Sequence, residues 1–137
     1  MVPLYGIGGP GSEGWVPVDF RTEIEAAVRT GFENYVNFDG RAAIRPFWMW
    51  VIFEVGVWVI AYIIDAIIGT GFIFGMLSSL ALLLPSLGFA ARRLHDVGKS
   101  GWYLLAGFIP VLGAIYLIYL CAQPGEAQTN AWGAVPA

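Results

Sequence analysis

The chain has 137 residues, of which 58% are apolar and 12% are charged, and its formal net charge is −3. Its mean hydropathy of +0.69 lies far from that of an ordinary soluble domain and predicts a small integral membrane protein of one domain. A single cysteine, Cys121, excludes a disulfide framework within the chain and a cysteine-based zinc site. We expect neither a cofactor nor a nucleic-acid partner.

Residues 1–18 contain five glycines and three prolines, which prevent any regular element. We interpret this segment as an extended N-terminal arm, in which the large apolar side chains of Leu4, Tyr5 and Trp15 are candidate contacts for a partner protein. The alternative is a tail that is flexible or lies on its own domain, since termini of this composition are normally mobile.

Residues 19–45 open with a helical pattern, for which Asp19 is a suitable N-cap. One stripe is apolar and the opposite side is charged. The stripe consists of Phe20, Ile24, Val28, Phe32 and Tyr35 or Val36, and the charged side consists of Arg21, Glu25, Arg29 and Glu33. We predict an amphipathic cytoplasmic helix that lies in the membrane interface. The alternative is that its stripe packs on the cytoplasmic ends of the spans or on a second protein.

Three apolar segments, residues 47–68, 72–91 and 102–122, reach the length of about 20 residues that a membrane-spanning helix needs. Their apolar runs lack the alternation of a transmembrane β-strand, so they predict helices. The fold class is therefore all-α, with a three-helix transmembrane domain over residues 46–122 and kinks at Pro85 and Pro110. The first run lacks a signal-peptide cleavage pattern, and we expect insertion through the first span itself.

The distribution of cations predicts an orientation. All seven Lys and Arg residues lie before the first span or between the second and third, whereas the link at residues 68–71 and the tail at residues 123–137 have none. By the positive-inside rule, this predicts a multi-pass protein with a cytoplasmic N-terminus and a periplasmic C-terminal tail.

Two acidic residues, Glu54 and Asp65, fall within the first span and on one face of its helix. An acidic group in hydrocarbon is costly and must face protein or water. Asp65 is close enough to the outer end to reach the interface. Glu54 is deeper, and we expect it to be protonated or paired with Arg45 or Arg92. A transport pathway is less favoured, because the spans offer few other polar groups.

The segment at residues 91–102 holds three of the seven cations and the single histidine, His95. One interpretation is a lipid-headgroup or anion site, to which five residues contribute: Arg92, Arg93, Lys99, Ser100 and Trp102. The other is structural: the arginines anchor the helix at the interface, Asp96 pairs with Arg93 or His95, and Trp102 belongs to the aromatic belt. We expect no enzymatic activity, since no nucleophile or second histidine accompanies His95 and Asp96.

Several short motifs occur in a defined order along the chain. They are Tyr35, Phe38, Gly40-Arg41, Phe47-Trp48, Pro85, Arg92-Arg93-Leu94-His95-Asp96, Gly98, Ser100-Gly101-Trp102, Ile109-Pro110 and Gly113. This pattern resembles the DUF805 family of small bacterial inner-membrane proteins over about residues 32–133. The resemblance implies a bacterial inner-membrane location but no activity, because the family is named for lacking an assigned function.

The chain departs from the family pattern at two places. Similar proteins usually carry a basic residue and a Glu just before the aromatic-Trp pair, where this chain has Ile44 and Pro46, and we interpret Pro46 as the first residue of the first span. They tend to end in Asn-Arg-Tyr-Gly, where this chain has Asn-Ala-Trp-Gly at residues 130–133.

These observations favour a non-enzymatic accessory or binding subunit of a larger inner-membrane complex, with membrane lipids and other integral membrane proteins as partners. One alternative is a small oligomeric transporter or channel with Glu54 facing its interior. The other is an anionic-lipid-binding protein that uses the basic segment at residues 91–102.

Overall fold

A computed structural model describes residues 19–136, and over this range the chain is all-helical, with no strand. It forms α1 (Phe20–Glu33), α2 (Ile44–Ile68), α3 (Ile73–Asp96), a 3₁₀ helix (Gly101–Phe108) and α4 (Leu112–Ala122). Two helices, α2 and α3, are long and apolar enough to cross a membrane. The all-α fold class is thereby confirmed. The predicted arm contacts Leu4, Tyr5 and Trp15 lie outside the described residues.

Helix α1 begins where the sequence predicts. The Asp19 carboxylate accepts hydrogen bonds from the hydroxyl of Thr22 at 2.7 Å and from its backbone N–H at 2.8 Å, which holds the pKa of this carboxyl below its usual range. The side of α1 that faces α2 is closely packed, since Ala27 is buried and the ring of Trp50 leaves no room for a side chain at Gly31. Phe32 meets Trp50 edge to face at 5.7 Å between ring centroids. Of the predicted stripe, Phe32 contacts α2, whereas the most closely packed residues of α1, Ala27 and Gly31, lie outside the stripe.

Helices α2 and α3 form an antiparallel hairpin. Gly69 ends α2 in the left-handed conformation, with φ of 81°, which suits a residue without Cβ. Asp65 is 2% exposed, and its carboxylate accepts hydrogen bonds from the Thr70 hydroxyl at 2.7 Å and from the N–H groups of Phe74 and Gly75 at 2.9 Å. Asp65 is therefore turned inward, where it satisfies the first amides of α3.

The boundaries of both helices differ slightly from the predicted spans. Helix α2 begins at Ile44, so Pro46 is its third residue rather than its first; a missing N–H is still harmless there, because the first four amides of a helix have no partner within it. Helix α3 runs past Pro85 and five residues beyond the predicted end at position 91, as far as Asp96. The main core lies between the two helices near this end, where Trp50 and Phe89 stack at 5.8 Å.

The predicted third span is wrong as a continuous helix, because it is divided into the 3₁₀ helix and α4. Pro110 has no N–H to donate, and Val111 has a φ of 63°, which stops the helix and reverses the chain. Gly113 then packs against the backbone carbonyl of Ala106 so closely that a side chain would not fit. The two pieces form a hairpin, and each is about 16 Å long, roughly half the thickness of bilayer hydrocarbon.

This hairpin returns the chain to the end of α3 that it left. The Arg93 side chain, near the C-terminus of α3, donates a hydrogen bond to the carbonyl of Cys121 at 3.0 Å and another to that of Gln123. The tail after α4 therefore lies at the same end of the α2–α3 pair as the junction that precedes α2. The sequence predicts that the tail and the cations lie at opposite ends of the helices. This is wrong, because residues 102–122 form a hairpin and do not run in one direction.

Candidate functional site

The guanidinium of Arg93 is fully buried and makes several hydrogen bonds to other segments of the chain. Its Nε donates to the Cys121 carbonyl, and its Nη1 donates to the Ala42 carbonyl at 3.2 Å and to the Asp96 carboxylate. Its Nη2 donates to the Gln123 carbonyl. A guanidinium has five N–H groups in a planar fork, so one side chain joins three distant segments here.

Asp96 is shared by a second arginine, Arg41, from the junction before α2. Both Nε and Nη2 of Arg41 lie 2.9 Å from Oδ1 of Asp96, and both side chains are nearly fully buried. Arg41 also donates to three backbone carbonyls of the tail, those of Glu126 at 2.6 Å, Gln128 at 2.8 Å and Gly133 at 3.2 Å. We call Arg41, Arg93 and Asp96 the arginine–aspartate cluster.

His95 is fixed next to this cluster. Its Nδ1 lies 2.8 Å from the carbonyl of Gly40, to which it donates, and its ring stacks on Trp132 at 4.7 Å between centroids and 6° between planes. The amide of Asn130 donates to the backbone carbonyl of His95 at 2.9 Å. His95 therefore connects the junction with the tail, while Asp96 pairs with Arg93, as the structural interpretation of this segment expects.

Two glycines allow the tail to approach the end of α3. A Cβ at Gly125 would collide with the Asp96 carboxylate, and a Cβ at Gly98 would collide with the Glu126 carboxylate. Gly98 also has a φ of 80°, in the left-handed region that favours glycine. The backbone N–H of Glu126 donates to the Asp96 carbonyl at 2.7 Å, so the tail is bonded directly to the helix end.

The five residues predicted to form one anion site have different surroundings. Arg93 is used within the cluster, and Arg92 is buried over the ring of Phe89, with its Nη2 unpartnered among residues 19–136. The other three are Lys99, whose Nζ lies 5.9 Å from the Tyr103 ring centroid; Ser100, whose hydroxyl accepts from the Trp102 N–H; and Trp102 itself, which is 78% exposed.

From the sequence alone, Arg41 is one cation of the junction among others and has no separate role. Its signal was its place in the Gly40-Arg41 motif, in a junction with few other charges. Its partners could not be found in this way, because the tail carbonyls that accept its hydrogen bonds lie 85 to 92 positions away.

Glu54 lies in the middle of α2 and has a polar partner on α3. Its Oε1 accepts a hydrogen bond from the Ser86 hydroxyl at 2.9 Å, and the same hydroxyl accepts one from the indole Nε1 of Trp50 at 3.0 Å. The expected pairing with an arginine does not form. Arg45 instead pairs with Glu23 of α1 at 2.7 Å, and Arg92 donates to the Gly88 carbonyl at 3.3 Å.

An open groove of about 360 Å³ lies between α2 and α3 beside this acid. We call it the Glu54 groove; α2 lines it with Phe47, Trp50, Val51, Glu54 and Trp58, and α3 with Ser79, Leu83, Ser86, Leu87 and Ala90. Its wall is therefore apolar and aromatic except for one carboxyl and two hydroxyls. No group of three or more His, Cys, Asp or Glu side chains suited to a metal ion occurs in the part of the chain that the structure describes.

The long apolar hairpin of α2 and α3, with a buried polar cluster at one end, defines a small helical membrane protein. Residues 35–134 match the family described as "Protein of unknown function (DUF805)", and the chain belongs to this family.

Two relatives come from Escherichia coli (strain K12). Inner membrane protein YhaI is 36% identical over 105 residues, which cover 76% of this chain and 89% of the relative. Inner membrane protein YhaH is 29% identical over 113 residues, which cover 76% of this chain and 90% of the relative. No solved structure matches the chain.

Proposed function

We propose that this membrane protein is a non-enzymatic accessory or binding subunit of a larger bacterial inner-membrane complex. The observation that carries the proposal is how its charged motif residues are used. Arg41, Arg93 and Asp96 are buried and bonded within the chain, which suits a scaffold better than a reaction centre. Helices α2 and α3 also direct most of their apolar side chains outward. Within the most apolar 18-residue stretch of each helix, 11% is buried in α2 and 22% in α3. Such surfaces suit contact with lipids and with other transmembrane helices.

We also infer a membrane arrangement that differs from three spans. Helices α2 and α3 cross the bilayer, and the 3₁₀ helix and α4 form a re-entrant hairpin that enters and leaves on one side. Helix α1 lies at the interface beside α2. The contacts of Arg93 and Arg41 with the tail support this arrangement, because they hold both ends of the membrane domain together. The cations cluster at that end, which makes it cytoplasmic by the positive-inside rule.

Reporter fusions test this arrangement. Green fluorescent protein fused after Pro136 should fluoresce, because it folds in the cytoplasm, and alkaline phosphatase inserted at Thr70 should be active, because it folds in the periplasm. An active phosphatase fused after Pro136 would instead support three spans with ends on opposite sides.

The subunit role is tested by extracting the native protein in mild detergent and measuring the mass of the particle that contains it. We expect a large particle with stoichiometric partner chains, identified by mass spectrometry. A lone chain or a homo-oligomer would contradict the proposal. Deletion of residues 1–18 then tests the arm, which should be needed for the complex to stay intact.

Of the alternatives, the transporter or channel retains one supporting observation, the open groove at Glu54. Under this alternative, Glu54→Gln abolishes flux, whereas the accessory role predicts an intact complex. The lipid-binding alternative loses support, because Arg92 and Arg93 are both buried.

A further inference from the structure

The Glu54 groove places a carboxyl group in an apolar setting, without a cation beside it among residues 19–136. In the described chain, Ser86 is the one hydrogen-bond partner of the Glu54 side chain, and it bonds Oε1 only. The acids of the ion pairs among residues 19–136 are Glu23, Glu25 and Asp96, so Glu54 takes part in none of these pairs. Acidic groups at membrane depth are normally paired with a cation or face water. A positively charged ligand would supply the partner that residues 19–136 do not.

The aromatic lining of the groove suits an organic cation. Trp58 lies one helical turn after Glu54, lines the same groove and is 45% exposed. Phe47 and Trp50 line the groove as well, but both are buried and their rings pack against Phe89, so Trp58 is the aromatic ring that a ligand can contact. The face of an aromatic ring attracts a cation, most strongly when both are removed from water, and tryptophan is the best of the aromatic residues at this.

The size and the remaining walls restrict the ligand further. A volume of about 360 Å³ lies in the range of small-molecule sites, which is about 300–1,000 Å³. Leu83, Leu87 and Ala90 offer no hydrogen bonds from their side chains, so a strongly hydrated inorganic ion would lose its water without replacement. An ion with a delocalised or shielded charge and an apolar body avoids this cost.

We propose that the Glu54 groove binds a lipophilic organic cation, a phosphonium or ammonium ion with an apolar body. Its charge lies between the Glu54 carboxylate and the Trp58 ring, and its body contacts the leucines of α3. The open side of the groove lets such a ligand enter from the bilayer. Binding is a property of the single chain and does not depend on the accessory role.

The test uses the full-length protein purified in mild detergent, with radiolabelled methyltriphenylphosphonium as the probe in equilibrium dialysis. We expect saturable binding to one site per chain. Triphenylphosphine oxide, which has a similar apolar body but no net charge, should not compete. Absence of saturable binding, or equal competition by the neutral compound, would overturn the proposal.

Variants assign the site. Glu54→Gln keeps an oxygen for Ser86 but removes the charge, and should weaken binding by about 30-fold or more. Glu33→Gln removes the same charge from an exposed position on α1 and should leave affinity unchanged. Wild-type affinity in Glu54→Gln would contradict the proposal, and so would an equal loss in Glu33→Gln.

A second pair of variants keeps the test decisive if Glu54→Gln fails to fold. Trp58→Leu should weaken binding by about threefold or more, because the cation loses a ring face. Tyr62→Leu removes an aromatic ring that is 73% exposed one turn further along α2 and does not line the groove, so it should not change affinity. Equal affinities of these two variants would overturn the proposed place of the cation.

Discussion

The arginine–aspartate cluster and the Glu54 groove both place charged side chains in a largely apolar chain, but their charges are compensated differently. In the cluster, Asp96 has two arginine partners, and both guanidiniums also donate to backbone carbonyls. In the groove, Glu54 has one neutral hydroxyl as its partner among the described residues. Burial is also unequal, since Arg93 and Asp96 are almost fully enclosed and Glu54 is half-buried.

This difference separates charged residues that support the fold from Glu54, which we propose as a binding residue. A buried ion pair is costly to desolvate, so it persists where several segments supply additional hydrogen bonds. Here these bonds join the junction before α2, the end of α3 and the tail. Among the described residues, the Glu54 groove has no comparable set of bonds, which is why we propose it as the binding site.

The largest effect is expected from Arg93→Ala. This change leaves Asp96 with one arginine and leaves the Ala42, Cys121 and Gln123 carbonyls without a donor. We expect a loss of about 3–5 kcal/mol in the free energy of unfolding, because the remaining buried groups stay uncompensated. Thermal unfolding in detergent, followed by circular dichroism, measures it.

Arg29→Ala is the matched control, because Arg29 is exposed on α1. It should change stability by no more than about 0.5 kcal/mol. Arg93→Lys should remain clearly destabilised, since an ammonium lacks the planar fork that reaches several carbonyls at once. If Arg93→Ala were as stable as Arg29→Ala, the cluster would not hold the three segments together.

Features with a local cause could be predicted from the sequence. The Asp19 cap and the turn around Gly69 depend on neighbours within a few positions, and the positions of α2 and α3 follow from continuous apolar runs, although the last five residues of α3 extend beyond its run. The reversal at Pro110 and Val111 could not be found in this way, because an apolar hairpin and a single span have the same hydropathy. Nor could the burial of Arg93, since its acceptors at Ala42, Cys121 and Gln123 are remote in sequence.

A smaller effect is expected from Gly125→Ala, which tests whether the tail must pack closely against the arginine–aspartate cluster. The added methyl group would meet the Asp96 carboxylate and force the tail away. We expect a loss of about 1–3 kcal/mol in the free energy of unfolding, typical of overpacking. Limited proteolysis should also cut the tail faster.

Gly56→Ala provides the control, because Gly56 lies within α2 and a Cβ there meets nothing within 4 Å. Alanine is the better helix former, so this variant should be as stable as the wild type or more stable by up to about 1 kcal/mol. A tail that resists proteolysis equally in both variants would show that Gly125 is not needed for docking.

The smallest effect is expected from Ser86→Ala, which examines the groove alone. It removes the donor to Glu54 and the acceptor of the buried Trp50 N–H, and we expect a loss of about 1–2 kcal/mol. Ser78→Ala is the control, since the Ser78 hydroxyl donates only to the Gly75 carbonyl of its own helix. A loss as large as that of Arg93→Ala would mean that Glu54 is a structural residue like Asp96. A small loss would show that the fold does not depend on the hydrogen bonds of the groove. This is expected of a binding site between two helices that are already packed.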